Sequence, residues 1–198
     1  MSVLPAKADL RAMALARRAI VPAETARAFA AVLAETGPQL AKDHRAEIIG
    51  AYAAIGDEVA TSPLLQMLAQ AGFATALPVT GKRGTPLTFR LWRPGDPVAK
   101  GKMGITEPPA TAPEVFPDLL FVPLAAADRA GNRIGYGAGF YDLTLAALRS
   151  QRPICAIGIA FSCQIFEAVP AEAHDQKLDY LLTEQGLIAC LSSRPFTD

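Results

Sequence analysis

Apolar and polar positions along the chain switch repeatedly between a helical and a strand period. Residues 5–20 open on Pro5 and place Leu10, Met13, Ala14 and Arg17 on one stripe, which predicts a helix. The Ala-rich stretch 22–40 predicts a second. Residues 48–53 are short and apolar, as expected of a buried strand, and the turn Gly56-Asp57-Glu58 ends them. Over 62–71, Leu64, Leu65 and Leu68 form one helical face, with Gly72 as its C-terminal stop. Strands are predicted over 73–77, closed by Pro78, and over 88–92. The stretch 94–117 is rich in Pro, Gly and charge and reads as an extended surface connection. A strongly apolar strand over 119–122, a helix over 143–148, and strands over 154–159 and 179–183 complete the pattern.

Strand–helix–strand alternation predicts an α/β fold: three α/β/α layers with a mostly parallel central sheet. No internal repeat is visible. The 94–117 stretch is too short to separate domains, so 1–198 is expected to be one domain. With 51% hydrophobic residues among 198, a sizeable core is available.

Charge narrows the choice of partners. Lys plus Arg and Asp plus Glu are 19 each, so global charge gives no support to a nucleic-acid partner. No apolar run is long enough to span a bilayer, and the N-terminal stretch lacks a signal-type core, which leads us to expect a cytoplasmic protein. Cys155, Cys163 and Cys190 lack C-x-x-C spacing, so neither a disulfide framework nor a zinc site is indicated. Cys163 is expected to be a buried small hydrophobe, and His44 to be exposed.

The segment GNRIGYGAGFYD, from Gly131 to Asp142, stands out. Gly135, Gly137 and Gly139 alternate just before a helix. Backbone that bare can turn several N–H groups toward one point, and a helix start adds partial positive charge. Arg133 adds a full cation, and the preceding strand places the segment at the carboxyl end of the sheet. The spacing is neither G-x-G-x-x-G nor a Walker loop, because Gly81-Lys82 and Gly101-Lys102 lack the following Ser or Thr. On residues alone the segment is an anion cradle or a flexible helix cap. Asp142 is either a carboxylate sharing a divalent cation with phosphate or an ordinary acid at a helix start; the residues alone favour the second.

Two runs carry a resemblance: DLLFVP from Asp118 to Pro123, and DRAGNRIGYGAGFYD from Asp128 to Asp142. Together they closely resemble the signature of the 5-formyltetrahydrofolate cyclo-ligase (5,10-methenyltetrahydrofolate synthetase) family. Flanking blocks agree: Lys7-Ala8-Asp9-Leu10-Arg11, Asp57-Glu58, Gly104-Ile105-Thr106-Glu107-Pro108, Ala160-Phe161-Ser162-Cys163-Gln164 and His174-Asp175.

The resemblance implies a fold like that of sugar-phosphate isomerases and CoA transferases. It also implies a reaction, the ATP-driven closure of 5-formyltetrahydrofolate to 5,10-methenyltetrahydrofolate with release of ADP and phosphate. ATP enters as co-substrate and Mg2+ as cofactor. The folate could carry a polyglutamate tail, and the protein is expected to be a monomer. Phosphate ligands fall on Lys7, Arg11 and the loop Arg133, Ile134, Gly135, Tyr136, Gly137, Ala138, Gly139, Phe140 and Tyr141, with Lys7, Arg133 and Tyr141 as catalytic groups. Magnesium ligands fall on Asp142 and Asp175, and folate contacts on Ala53, Glu58, Tyr136 and Phe140. Tyr52 and Trp92 are further candidate walls, though core packing suits both better. His174 is expected to orient or support. Two positions depart from the family pattern: Ala138 stands where lysine is frequent, and Phe140 where tyrosine is frequent. The alternative is a relative that keeps the scaffold for a nucleotide-dependent regulatory role or another step in cofactor metabolism.

Overall fold

The computed structural model describes residues 5–101 and 104–191; Lys102 lies outside them. Helix α1 spans Lys7–Ala19, α2 Ala23–Asp43, α3 Ser62–Gln70 and α4 Phe140–Arg149. The central strands are β1 (Ile48–Gly50), β2 (Ala74–Val79) and β3 (Thr88–Leu91). Short strands β4 (Ala99–Lys100), β5 (Thr106–Glu107) and β6 (Glu114–Val115) follow, then β7 (Leu119–Pro123), β8 (Ala126–Asp128) and β9 (Arg133–Ile134). After α4 come β10 (Cys155–Ile159), β11 (Ile165–Phe166), β12 (Tyr180–Thr183) and β13 (Gly186–Ala189).

Eight strands form the main sheet in the order β13-β12-β10-β7-β1-β2-β3-β6. The five from β12 to β2 are parallel, and antiparallel strands close both edges. Strand β7 shows why its sequence is apolar throughout. Leu119 and Phe121 face the layer of α2 and α3, while Leu120 and Val122 face α4 with Leu145 and Leu148. The expected three-layer α/β/α architecture is therefore present.

Several boundaries move. The strand expected over 48–53 stops at Gly50, because the Ala51 N–H still reaches Ala76 but the chain then turns. The Tyr52 hydroxyl donates to the Val59 carbonyl at 3.0 Å, and the Thr61 hydroxyl donates to the Tyr52 carbonyl. Pro78 does not close β2 but lies within it, opposite Phe89 of β3. It is tolerated there because β1 pairs only as far as Ala76, so the side lacking an N–H faces no strand. Helix α4 begins at Phe140, three residues before the expected start, with Gly139 at φ +69° turning the chain into it. The 94–117 connection contains β4, β5 and β6.

A second sheet, β11-β8-β9, carries the glycine segment away from β7. Helix α1 packs on it through Leu10 and Ala14, against Ala126, Ile134 and Val169. Among the described residues no helix is long and apolar enough to cross a membrane.

Candidate active site

The order of strand connection reverses between the parallel neighbours β1 and β7: β1 leads outward to β2 on one side, and β7 to β10 and β12 on the other. Open α/β sheets bind ligands at the carboxyl end of such a switch point. A cavity of about 180 Å³ opens there. Tyr52 and Ala53 line it beyond β1, Pro78 and Thr80 at the end of β2, Pro123 at the end of β7, and the glycine segment over the top.

The glycine segment reaches the cavity through Gly135, Tyr136, Ala138 and Gly139, and the first turn of α4 adds Phe140, Tyr141 and Asp142. Gly137 takes φ +94°. Asp128, 3% exposed, fixes the turn before the segment: its carboxylate accepts from the Ala130 and Asn132 amides, the Asn132 side chain and the Val169 amide. Ile134 sends its side chain into the cluster under α1, and its carbonyl accepts from the Ala125 amide.

Arg133 is buried and paired with Asp142 at 2.8 Å. Burial pulls the guanidinium's pKa down, and the Asp142 carboxylate works against that. Its Nη2 is buried without a partner among the described residues, and so is the Tyr141 hydroxyl. Burial, then the charge of Glu58, pushes the Tyr141 phenol far up, so it stays a neutral donor. Both side chains line the cavity.

Helix α1 approaches from the other side. Arg11 Nε donates to the Gly135 carbonyl at 2.7 Å. Lys7 pairs with Asp175 at 2.7 Å and with Glu172 at 3.2 Å. Burial alone would lower Lys7, but these carboxylates outweigh it and raise its pKa. Burial would likewise raise Asp175, yet the Lys7 bond and the Glu172 amide hold it low. The Gln176 amide donates to Asp142 at 3.0 Å, so the two candidate metal carboxylates lie in adjoining segments. The sites expected from sequence thus form two ion pairs, Lys7–Asp175 and Arg133–Asp142, joined by one peptide.

Glu58 also lines the cavity, and its Oε2 accepts from the Ile55 amide at 2.8 Å. Tyr136 reaches toward it; burial, then the Glu58 charge, pushes the Tyr136 phenol up.

The family model for 5-formyltetrahydrofolate cyclo-ligases matches residues 3–184. The chain belongs to the 5-formyltetrahydrofolate cyclo-ligase family. The Haemophilus influenzae 5-formyltetrahydrofolate cyclo-ligase is 35% identical over 144 residues, 70% of this chain and 76% of that one. The Mycolicibacterium smegmatis protein of the same name is 35% identical over 153 residues, 70% of this chain and 75% of that one. The NMR structure of the Aquifex aeolicus 5,10-methenyltetrahydrofolate synthetase superposes with a TM-score of 0.73 at 26% identity, covering 97% of this chain and 96% of that one.

Most of the residues expected from the cyclo-ligase resemblance face the cavity or adjoin it. Lys7, Arg11 and Asp175 sit beside the glycine segment rather than in the cavity wall. Trp92 packs on the α2–α3 side of the core and does not line the cavity, whereas Tyr52 does, from a buried position. His174 is exposed, 3.5 Å from Glu172 and 3.6 Å from Asp175. His44 is half-buried against the Tyr180 ring at 5.2 Å, not exposed as expected. Cys163 is only partly buried, and burial pushes its thiol up.

Three groups near this cyclo-ligase site were not anticipated. Arg18 Nη1 donates to the Tyr136 hydroxyl at 2.6 Å. Arg83, in the β2–β3 turn, reaches the Gly137 carbonyl at 3.4 Å. Glu107 is buried and accepts from the Thr80 amide at 2.9 Å. Arg18 had a legible signal, since it lies seven residues beyond Arg11 on the same helical stripe, and Glu107 lies in one of the flanking blocks that resemble the family, without a role assigned to it there.

Proposed function

We propose that this chain converts 5-formyltetrahydrofolate to 5,10-methenyltetrahydrofolate at the expense of ATP, through a phosphorylated formyl intermediate. The carrying observation is that Arg133 and Tyr141, whose Nη2 and hydroxyl are buried and unpartnered among the described residues, line the same cavity as Glu58. An unsatisfied buried donor costs about 1–3 kcal/mol, a cost a bound acceptor removes. A folate on Ala53, Glu58, Tyr136 and Phe140 would bring its formyl oxygen toward those donors.

A formamide is a poor electrophile and its oxygen leaves badly. In the proposed reaction the formyl oxygen attacks the γ-phosphorus, the bond to ADP breaks, and the electron pair leaves on ADP. N10 then attacks the activated carbon and loses its proton. The carbon–oxygen bond breaks, phosphate departs, and the ring is closed. Phosphoryl transfer needs positioning and charge neutralisation more than covalent help. Lys7, Arg11, Arg133 and the N-terminal amides of α4 are the groups available for it.

Asp142 and Asp175 would hold Mg2+. Each keeps one carboxylate oxygen free of hydrogen bonds, Asp142 Oδ2 and Asp175 Oδ1. Among the described residues no three His, Cys, Asp or Glu side chains are placed to hold a metal ion together. Mg2+ needs no such group, taking one or two carboxylates with phosphate oxygens and water. When bound, the ion neutralises charge on the transferring phosphoryl group.

The test is an absorbance assay for the near-ultraviolet band of methenyltetrahydrofolate. Product should form only with 5-formyltetrahydrofolate and ATP both present, and chelating Mg2+ should stop it. Product without ATP, or none with the full mixture, overturns the reading.

A further inference from the structure

Helix α1 carries Lys7, Arg11, Ala14 and Arg18 on one stripe, at spacings of four, three and four. Lys7 and Arg11 meet the Asp175 segment and the glycine segment. Arg18 is different in kind, being only 9% exposed. No carboxylate is within ion-pair distance of it among the described residues, and its buried Nε has no partner. A buried cation left so incompletely paired is costly to the fold. Its one strong bond is to the Tyr136 hydroxyl at 2.6 Å, and its guanidinium stands 5.8 Å from the centre of that ring.

The surroundings say what that bond does. Arg18 and Glu58 line one small recess of about 10 Å³, together with Tyr52, Pro123 and Gln164. Tyr52, Glu58 and Pro123 also line the main cavity, so the recess lies directly behind the cavity wall. Arginine has donors only. The Tyr136 oxygen must therefore accept from Arg18, and its own proton points elsewhere. The Leu124 carbonyl, at 3.5 Å, is at the outer limit of a hydrogen bond, and the Glu58 carboxylate is the other acceptor within reach of that proton.

We infer that Arg18 is a positioning residue for the folate half of the site. It locks the Tyr136 ring and the direction of its hydroxyl beside Glu58, and its positive charge balances the Glu58 carboxylate when a ligand excludes water. Helix α1 then serves the nucleotide with its first two cations and the folate with its last. This inference rests on the reading that Glu58 and Tyr136 contact the folate.

The experiment is a steady-state cycle on the full chain with Arg18→Met, Arg18→Lys, Tyr136→Phe and the Met/Phe double variant, with thermal midpoints measured alongside. Arg18→Met should raise KM for 5-formyltetrahydrofolate about tenfold, the loss of one charge-assisted hydrogen bond. KM for ATP should stay within about twofold. Tyr136→Phe should act in the same direction, and the double variant should fall well short of the product of the two effects. Arg18→Lys, which retains the charge, should recover part of the loss. Equal effects on both substrates, a lower thermal midpoint with unchanged folate KM, or fully multiplicative effects would each overturn the role. If Arg18→Met does not fold, Arg18→Lys and Tyr136→Phe with their double variant decide by the same criteria. Wild-type turnover is measured first: its absence overturns the cyclo-ligase reading, whereas an active wild type with insensitive Arg18 variants overturns only this inference.

Discussion

At Glu58 two readings of one residue turn out to be compatible. It is a turn acid, since its Oε2 accepts from the Ile55 amide, and it also lines the cavity. One carboxylate oxygen is thus fixed by the backbone, which holds the other in place for a ligand. Pterin presents amino and ring N–H donors, and a carboxylate accepts from them with about 1.5–3 kcal/mol per charge-assisted bond. Glu58→Gln is expected to raise KM for 5-formyltetrahydrofolate roughly ten- to a hundredfold and leave KM for ATP unchanged. Unaltered folate affinity and turnover would reduce the residue to its turn role. Pairings at this scale were not legible in the sequence. Arg133 and Asp142 read as a free cation and a metal ligand, yet they sit 2.8 Å apart. They are nine positions apart across a glycine turn, and no helical or strand period predicts that contact.

Among the elements, long periodic stretches were legible and short ones were not. Helix α3 and strands β7, β10 and β12 fall within a residue or so of their expected bounds, because their apolar positions repeat over several turns or form unbroken runs. The sheet β11-β8-β9 was missed, since strands of two or three residues carry no measurable period. That sheet nevertheless aims the glycine segment, and Gly131 in the β8–β9 turn ties it to the chain after α4. Gly131 adopts φ +84°, and its carbonyl accepts from the Leu178 amide at 2.9 Å. A Cβ there would lie 2.5 Å from the Leu178 carbonyl oxygen, which is backbone and cannot swing aside. Gly131→Ala should therefore cost at least about 2 kcal/mol, combining left-handed strain with overpacking. A urea melt reads this directly; an unchanged midpoint would show that the turn relaxes freely.

Taken whole, the molecule draws its site from nearly the full length of the chain, and the N-terminal helix closes it. Lys7 and Asp175 are 168 positions apart, and their 2.7 Å contact pins α1 to the segment before β12. The family signature named both residues, but only the fold shows that they neutralise each other. In the proposed reaction Lys7 would share its charge between two carboxylates and a triphosphate. Lys7→Ala is expected to weaken ATP binding about tenfold or more, the worth of a charge-assisted bond to phosphate. Folate KM should change much less, because Lys7 does not line the cavity. Stability should fall only slightly, by about 1 kcal/mol or less, since the Lys7 side chain is 26% exposed and a partly solvated pair contributes little. Lys7→Arg should restore ATP binding in part, as the charge returns with a different reach. Equal losses for both substrates, or a large fall in the thermal midpoint, would mean that Lys7 serves the attachment of α1 rather than the phosphates.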